Sequence, residues 1–357
     1  MGKRIVVFGA GAVGGYVGAV LTESGQQVTL VDPWPRNVET MRASGVELSG
    51  MTEPRTVPVD AVHVTDVQAF SRAPIDIAII AVKSYDTEWV ATLARDYLAP
   101  DGYCVSMQNG INEDRLAGAV GWGRTMGCVV GRGLGFDLFE AGRIRRDYPA
   151  PKDPKVTSLH VGEVHGRITP RAQELAGILG AVATARPTEN LWGMRWSKLC
   201  VNSMRNGVSA ATGMGGNDRD RDDDVRRVCV ALGSEAVRVG RALGYSFASV
   251  GQLDAETLAR AGEGDADARA EVDRILLDST RSGARSDLQR PSMAQDMAKG
   301  RRTEIEFISG LVAARGAAAG VPAPANAALT RAVLRVERGE AKAGRENVLG
   351  EEFADVR

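Results

Sequence analysis

The segment Gly9-Ala10-Gly11-Ala12-Val13-Gly14 constrains this chain more than any other. It is a GxGxxG pattern between a β-rich apolar run, Arg4 to Phe8, and a stretch of helical character reaching about Ser24. In that frame Gly9 permits a tight turn, Gly11 lets the backbone approach a pyrophosphate, and Gly14 lets the helix pack closely on the strand. The helix N-terminus supplies N–H donors. Alone, the pattern also fits a glycine-rich packing turn. Here a second strand, Gln27 to Val31, follows, and Asp32 stands at its end, 18 residues after Gly14, where a dinucleotide fingerprint carries an acid. Asp32 would accept hydrogen bonds from the adenosine ribose hydroxyls and repel a 2'-phosphate, which favours NAD over NADP. Arg36 pulls the other way, since a nearby arginine can hold that phosphate.

Further strands extend the pattern. Ile75 to Val82 is an almost continuous apolar run, as in a strand covered on both faces, and Tyr103 to Met107 precedes Gln108-Asn109-Gly110. Strands alternating with helical segments predict an α/β Rossmann-type N-terminal domain with a mostly parallel, doubly wound sheet. Between about Leu134 and Gly166 the chain turns to Gly, Pro and short alternating segments, including a loop over 149–154, and the sheet is expected to end nearby. After Pro187 long helical runs predict an all-α C-terminal domain. The expected division is 1–187 for the dinucleotide-binding domain, 188–340 for the helical substrate and catalytic domain, and 341–357 for a charged, partly frayed tail.

Composition narrows the classes. A chain of 357 residues has room for two cores. Its 44 Lys+Arg against 45 Asp+Glu give no support to a nucleic-acid or membrane-surface role. The charge-free run from Ile5 to Leu21 is long enough for a signal peptide or a span, but five glycines inside it argue against both. Four scattered cysteines (Cys104, Cys128, Cys200, Cys229) are expected as reduced thiols in a soluble, cytoplasmic, metal-free protein. Asp218 to Asp224 holds five Asp and two Arg, yet lacks the glycine and terminal glutamate of an EF-hand loop, and so predicts a solvated helix start. The histidines, His63, His160 and His165, precede the helical domain. His160 and His165 lie five apart in a strand-like stretch, on opposite faces, which argues against a metal pair; all three are expected at the surface or in loops.

The acid, base and substrate contacts must then come from the second half. Within Trp192 to Asn206, the residues Lys198, Asn202 and Asn206 fall in a helical arc of roughly 80°. A lysine in an apolar helical setting can have its pKa lowered and give a proton to an oxygen gathering negative charge during hydride transfer. The same residues also fit a surface lysine and solvated asparagines over a helix seam. Further on, Ser292 with Gln295 and Thr303 with Glu306 each fit a capping box. Glu304 has no such explanation, though an acid in a first helical turn also suits the dipole.

Taken together, these residues resemble the ketopantoate reductases (2-dehydropantoate 2-reductases). The resemblance covers most of the chain: the glycine fingerprint, Val82-Lys83-Ser84, Gln108-Asn109-Gly110, Trp196-Ser197-Lys198-Leu199 with Asn202 and Asn206, and the block from Ser292 to Gly310. It implies a Rossmann domain joined to a helical domain, a small-molecule 2-oxo acid bound in the cleft between them, and hydride transfer from NAD(P)H to the keto carbon. Lys198 matches the family's general acid and Glu304 the glutamate that bonds a substrate hydroxyl. Asn202, Asn206 and Ser292 match polar substrate contacts, while Lys83 and Asn109 match positions beside the nicotinamide. Gln289 stands where the family has an asparagine lining the substrate, Pro291 replaces a small polar residue, and Gly207 replaces a proline. Asp32 stands near where the family usually has a basic residue for the NADPH phosphate, so NADH is the expected coenzyme. The region from about Met214 to Gln289 is longer than usual for the family. An NAD-dependent dehydrogenase of another hydroxy compound and a non-catalytic dinucleotide-sensing regulator are the rival functions. A homo-oligomer is compatible with the sequence.

Overall fold

A computed structural model describes residues 2–356 except 132, 154, 282–285 and 287. Pro154 of the expected loop and part of the 214–289 region therefore lie outside the described residues. The chain divides into two compact units, Met1–Leu191 and Trp192–Arg357.

In the first unit the order is β1 (Arg4–Phe8), α1 (Ala12–Glu23), β2 (Gln27–Asp32), α2 (Pro35–Ser44), β3 (Val46–Gly50), β4 (Arg55–Val57), β5 (Asp60–His63) and β6 (Ile75–Ile80). There follow α3 (Thr87–Arg95), β7 (Leu98–Ser106), α4 (Glu113–Val120), β8 (Thr125–Val130), β9 (Phe136–Glu140), β10 (Arg143–Arg146), β11 (Leu159–Glu163), α5 (Pro170–Leu179) and β12 (Ala185–Thr188). The main sheet has eight strands in the order β12-β11-β8-β7-β6-β1-β2-β5. It is parallel from β5 through β8, and only the β8–β11 pair is antiparallel. The apolar run of β6 explains itself in this setting, because Ile77 and Ile79 enter one core layer while Ile75, Ala78 and Ile80 enter the other, all fully buried. The strand order reverses direction at β1, with β2 on one side and β6 on the other, and such a switch point opens a crevice at the strand C-termini.

One expectation is corrected here, and one sheet is new. The sheet does not end between Leu134 and Gly166, because β11 and β12 extend it. A second, four-stranded sheet, β4-β3-β10-β9, also forms from strands of three to five residues. Segments this short carry too little period-2 pattern to be read from sequence.

The second unit is helical: α6 (Leu191–Thr212), α7 (Gly216–Arg221), α8 (Asp223–Ala242), α9 (Ala255–Gly262), α10 (Ala266–Asp278), α11 (Ser292–Ala298), α12 (Ser309–Ala318) and α13 (Pro324–Glu337). The acidic run divides in two. Asp222 caps α8 by accepting from the Val225 N–H at 3.1 Å, as a solvated helix start should, whereas Arg219 and Asp220 form a buried ion pair at 2.6 Å. The C-terminal segment is anchored rather than frayed, since Val348 and Phe353 are buried and Arg345 pairs with Asp222 at 2.7 Å. Its many charges hid two apolar anchors. Among the described residues no helix is long and apolar enough to cross a membrane, and no cluster of His, Cys, Asp and Glu could hold a metal.

Candidate active site

The three fingerprint glycines meet three different steric demands. Gly9 has φ +94°, and a Cβ there would lie 2.7 Å from the Val82 backbone N, in the loop that follows β6. At Gly14 a Cβ would lie 2.1 Å from the Gly9 carbonyl oxygen and 3.0 Å from Val7 and Ala81 side chains, which is the close helix–strand approach expected of this position. Gly11 is the exception: a Cβ there would meet nothing within 4 Å. Its smallness is therefore not required by the protein's own packing. Gly11 is also the N-cap of α1, which has no side-chain cap and no acid in its first turn, so its N-terminal N–H groups suit an anion. This donor set and the open space beside it fit a dinucleotide pyrophosphate.

Asp32 is buried at the end of β2 and accepts from the Trp34 N–H at 2.9 Å. Arg36 is exposed in the first turn of α2, where it borders a cavity of about 310 Å³ together with Thr40, Glu47, Glu140 and Arg143. Asn37, on the same helix, was not singled out by sequence. It is buried and donates to the Ala10 carbonyl at 3.1 Å while accepting from the Gly142 N–H at 2.8 Å, so it fastens the glycine loop to the small sheet.

Lys83 and Asn109 are half-buried on the loops after the adjacent parallel strands β6 and β7. A polar network holds these loops together. Gln108 Nε2 donates to the Val82 carbonyl at 2.9 Å and to Thr87 Oγ1 at 2.8 Å, and Asn112 Nδ2 donates to the Asn109 carbonyl at 2.8 Å and Ser84 Oγ at 3.2 Å. Ser84 Oγ in turn donates to the Asn109 carbonyl at 3.2 Å. Thr87 and Asn112 were missed because a single polar residue at a helix start has no sequence signature of its tertiary partners.

In the helical unit, Lys198, Asn202 and Asn206 lie four residues apart along the 22-residue α6, Lys198 half-buried and both asparagines buried. The face is not the solvated seam of the bland alternative. The helix is braced from behind: Trp196 Nε1 donates to the Ala236 carbonyl at 2.8 Å, and Ser203 bonds Asn326. Asn326 also donates to the Glu235 carboxylate at 2.8 Å. Burial pushes the Glu235 carboxyl above the usual carboxylate range, although the Ala325 and Asn326 N–H groups and the Asn326 side chain all donate to it. Cys200, also on α6, is buried and its thiol is pushed up by desolvation, which makes it an inert apolar filler.

Glu304 is buried immediately before the 3₁₀ turn Ile305–Phe307. Neither proposed capping box forms. The N-cap of α11 is Pro291 without a side-chain bond, and Gln295 Nε2 donates to the Arg290 carbonyl instead. Thr303 bonds Glu337 through its N–H (2.8 Å) and hydroxyl (2.6 Å), while Glu306 pairs with Arg302 at 2.9 Å. Ser292 is thus a half-buried first-turn residue and not a cap. Gln289 is buried, and among the described residues its Oε1 has no hydrogen-bond partner.

A 2-dehydropantoate 2-reductase of Archaeoglobus fulgidus is 27% identical over 339 residues, 94% of this chain and 99% of that protein. One from Pyrococcus horikoshii is 26% identical, over 90% of this chain and 94% of its own length. Among solved structures, a PanE/ApbA family ketopantoate reductase from Ralstonia eutropha JMP134 has a TM-score of 0.74 at 27% identity, covering 94% of this chain and 99% of that one. A D-mandelate dehydrogenase solved with NADH and anilino(oxo)acetate shares the fold, with a TM-score of 0.76 at 20% identity over 94% and 99% of the two chains. Residues 5–146 match the family model described as ketopantoate reductase PanE/ApbA, and residues 190–337 match that of its C terminal region. The chain is a 2-dehydropantoate 2-reductase-like NAD(P)-dependent oxidoreductase, and it belongs to the ketopantoate reductase family.

Proposed function

We propose that this enzyme reduces ketopantoate or a closely related 2-oxo acid to the 2-hydroxy acid, with Lys198 as general acid and NADH as preferred coenzyme. The observation that carries the reading is the α6 face, where one amine and two buried carboxamides line up on a helix whose Gly207 packs against Ile305, the residue after Glu304. When bound, the reduced dinucleotide supplies a hydride to the keto carbon. The chain's own residues do the rest. Gly11 and the α1 N-terminus would receive the pyrophosphate, Asp32 would accept from the ribose hydroxyls, and Lys83 and Asn109 would serve the nicotinamide end.

Asn202, Asn206, Ser292 and Gln289 donate to or accept from the substrate, and the Glu304 carboxylate accepts from a substrate hydroxyl. As negative charge gathers on the keto oxygen, Lys198 Nζ gives it a proton and becomes a neutral amine, later reprotonated from solvent. Steady-state assay of NADH and NADPH oxidation over a panel of 2-oxo acids, with and without a second hydroxyl, tests the reading. Turnover with a hydroxylated 2-oxo acid and NADH supports it. Binding of dinucleotide without turnover of any oxo acid would leave the sensing alternative in its place.

A further inference from the structure

Asp32 ends β2 directly opposite His63, which ends the edge strand β5, and the two are register partners. The half-buried His63 ring touches two separate segments. Its Nδ1 lies 3.3 Å from the Thr65 backbone N and 2.8 Å from Thr65 Oγ1, and its Nε2 lies 3.0 Å from the Pro33 carbonyl oxygen. A backbone N–H only donates and a carbonyl only accepts, so these two partners fit a ring that accepts at Nδ1 and donates from Nε2. In that form Nδ1 caps the 3₁₀ turn Val64–Arg72 and Nε2–H holds the Pro33 carbonyl. Pro33 has no N–H, which leaves that carbonyl as its one main-chain hydrogen-bonding group. Across Pro33 the backbone turns back so that the Trp34 N–H reaches Asp32 Oδ1 at 2.9 Å. One imidazole therefore ties the loop that orients the Asp32 carboxylate to the neighbouring strand's own turn.

We infer that His63 is a positioning residue for coenzyme recognition, acting through Pro33 to fix the orientation of the Asp32 carboxylate. The inference rests on the proposed role of Asp32 as acceptor for the ribose hydroxyls. It separates His63 from the bland surface or loop role that its sequence context suggests, and it gives the β5 edge a part in choosing the coenzyme.

Two variants distinguish positioning from capping. Asparagine at this position can still accept from the Thr65 N–H, as good N-cap residues do, but its shorter side chain does not reach Pro33; alanine keeps neither bond. His63→Asn should melt near the wild-type temperature, yet bind NADH roughly 3- to 10-fold more weakly, the loss of one hydrogen bond read as affinity. Its KM for the 2-oxo acid should stay within about twofold, and its preference for NADH over NADPH should narrow, which a capping role alone would not produce. His63→Ala should show the same coenzyme defect with a lower melting temperature. Full NADH affinity in His63→Asn, or in both variants, would overturn the inference. A wild-type enzyme that binds neither dinucleotide by calorimetry would overturn the proposed coenzyme site itself, and this inference with it.

Discussion

Gly207 of α6 lies against Ile305: a Cβ at Gly207 would sit 2.9 Å from Ile305 Cδ1 and 2.8 Å from Leu329 Cδ2. The contact thus joins the residue after Asn206 to the side chain of the residue after Glu304. Alanine would add up to about 1 kcal/mol of helix propensity, but it must displace two buried side chains, a strain of about 1–3 kcal/mol. Gly207→Ala should therefore lose up to about 2 kcal/mol of stability, whereas Gly207→Val should lower the melting temperature further and kcat/KM as well, the latter more than the stability loss alone explains. Steady-state kinetics on folded Gly207→Val checks this. Wild-type kcat/KM in that variant would show that the contact does not position the two side chains.

The glycine loop separates binding from folding. With open space at Gly11, Gly11→Val should melt close to wild type but lose NADH affinity, because the new side chain enters the place of the pyrophosphate. Gly14→Ala should do the reverse first, losing stability as its Cβ meets the Gly9 carbonyl oxygen. Thermal melts paired with calorimetric titration of NADH measure both. Unchanged NADH affinity in Gly11→Val would remove the fingerprint from the mechanism.

Coenzyme choice turns on charge at Asp32. Because this carboxylate also accepts from the Trp34 N–H, Asp32→Asn is a cleaner probe than alanine, keeping an acceptor for the turn while removing the charge that repels a 2'-phosphate. The variant should gain in kcat/KM with NADPH relative to NADH. A wild-type preference for NADPH of tenfold, about 1.4 kcal/mol, would mean that Arg36 outweighs Asp32.

The end of the chain gives a pH prediction. The Arg345 guanidinium bonded to Asp222 holds this carboxyl below the usual aspartate range, helped by the Val225 N–H. A carboxyl whose folded pKa lies below its unfolded one adds stability above the unfolded pKa, and that contribution is lost as pH falls through the folded value. Asp222→Ala should cost about 1 kcal/mol at neutral pH, mostly as a lost helix cap, since the Arg345 partner is exposed and adds little. The gap to wild type should close below about pH 4 in urea melts taken across the acid range. A gap independent of pH would assign the loss to something other than the ionised cap.

The parts of the fold legible in the sequence were those written as periodic patterns. The run Ile75 to Val82 needs only burial on both faces to be a central strand, and the glycines at 9, 11 and 14 with Asp32 announce the first two strands and the turn between them. The second sheet was hidden because β3, β4, β9 and β10 are short and its two hairpins join across almost 100 residues, where Glu47 pairs with Arg143. The capping boxes failed for a related reason. Thr303 finds its partner in Glu337, a tertiary contact that no local spacing contains. In the site, residues of one helix face were visible together, while Asn37, Thr87 and Asn112 act through loop carbonyls and N–H groups that only the fold brings near.

Glu304→Gln should weaken the productive complex mainly for 2-oxo acids that carry a further hydroxyl, and change little for those without one. Equal loss across both substrate groups would reassign this buried acid to structure.

The proton donor carries the central claim, and the pH–rate profile of Lys198→Ala under saturating NADH tests it most directly. Wild-type reduction should fall at high pH as the lysine deprotonates. Lys198→Ala should lower kcat by roughly 10²- to 10⁴-fold, abolish that alkaline limb and leave NADH affinity unchanged. Near-wild-type kcat with the alkaline limb intact would contradict the account and leave the α6 face from Lys198 to Asn206 without a chemical role.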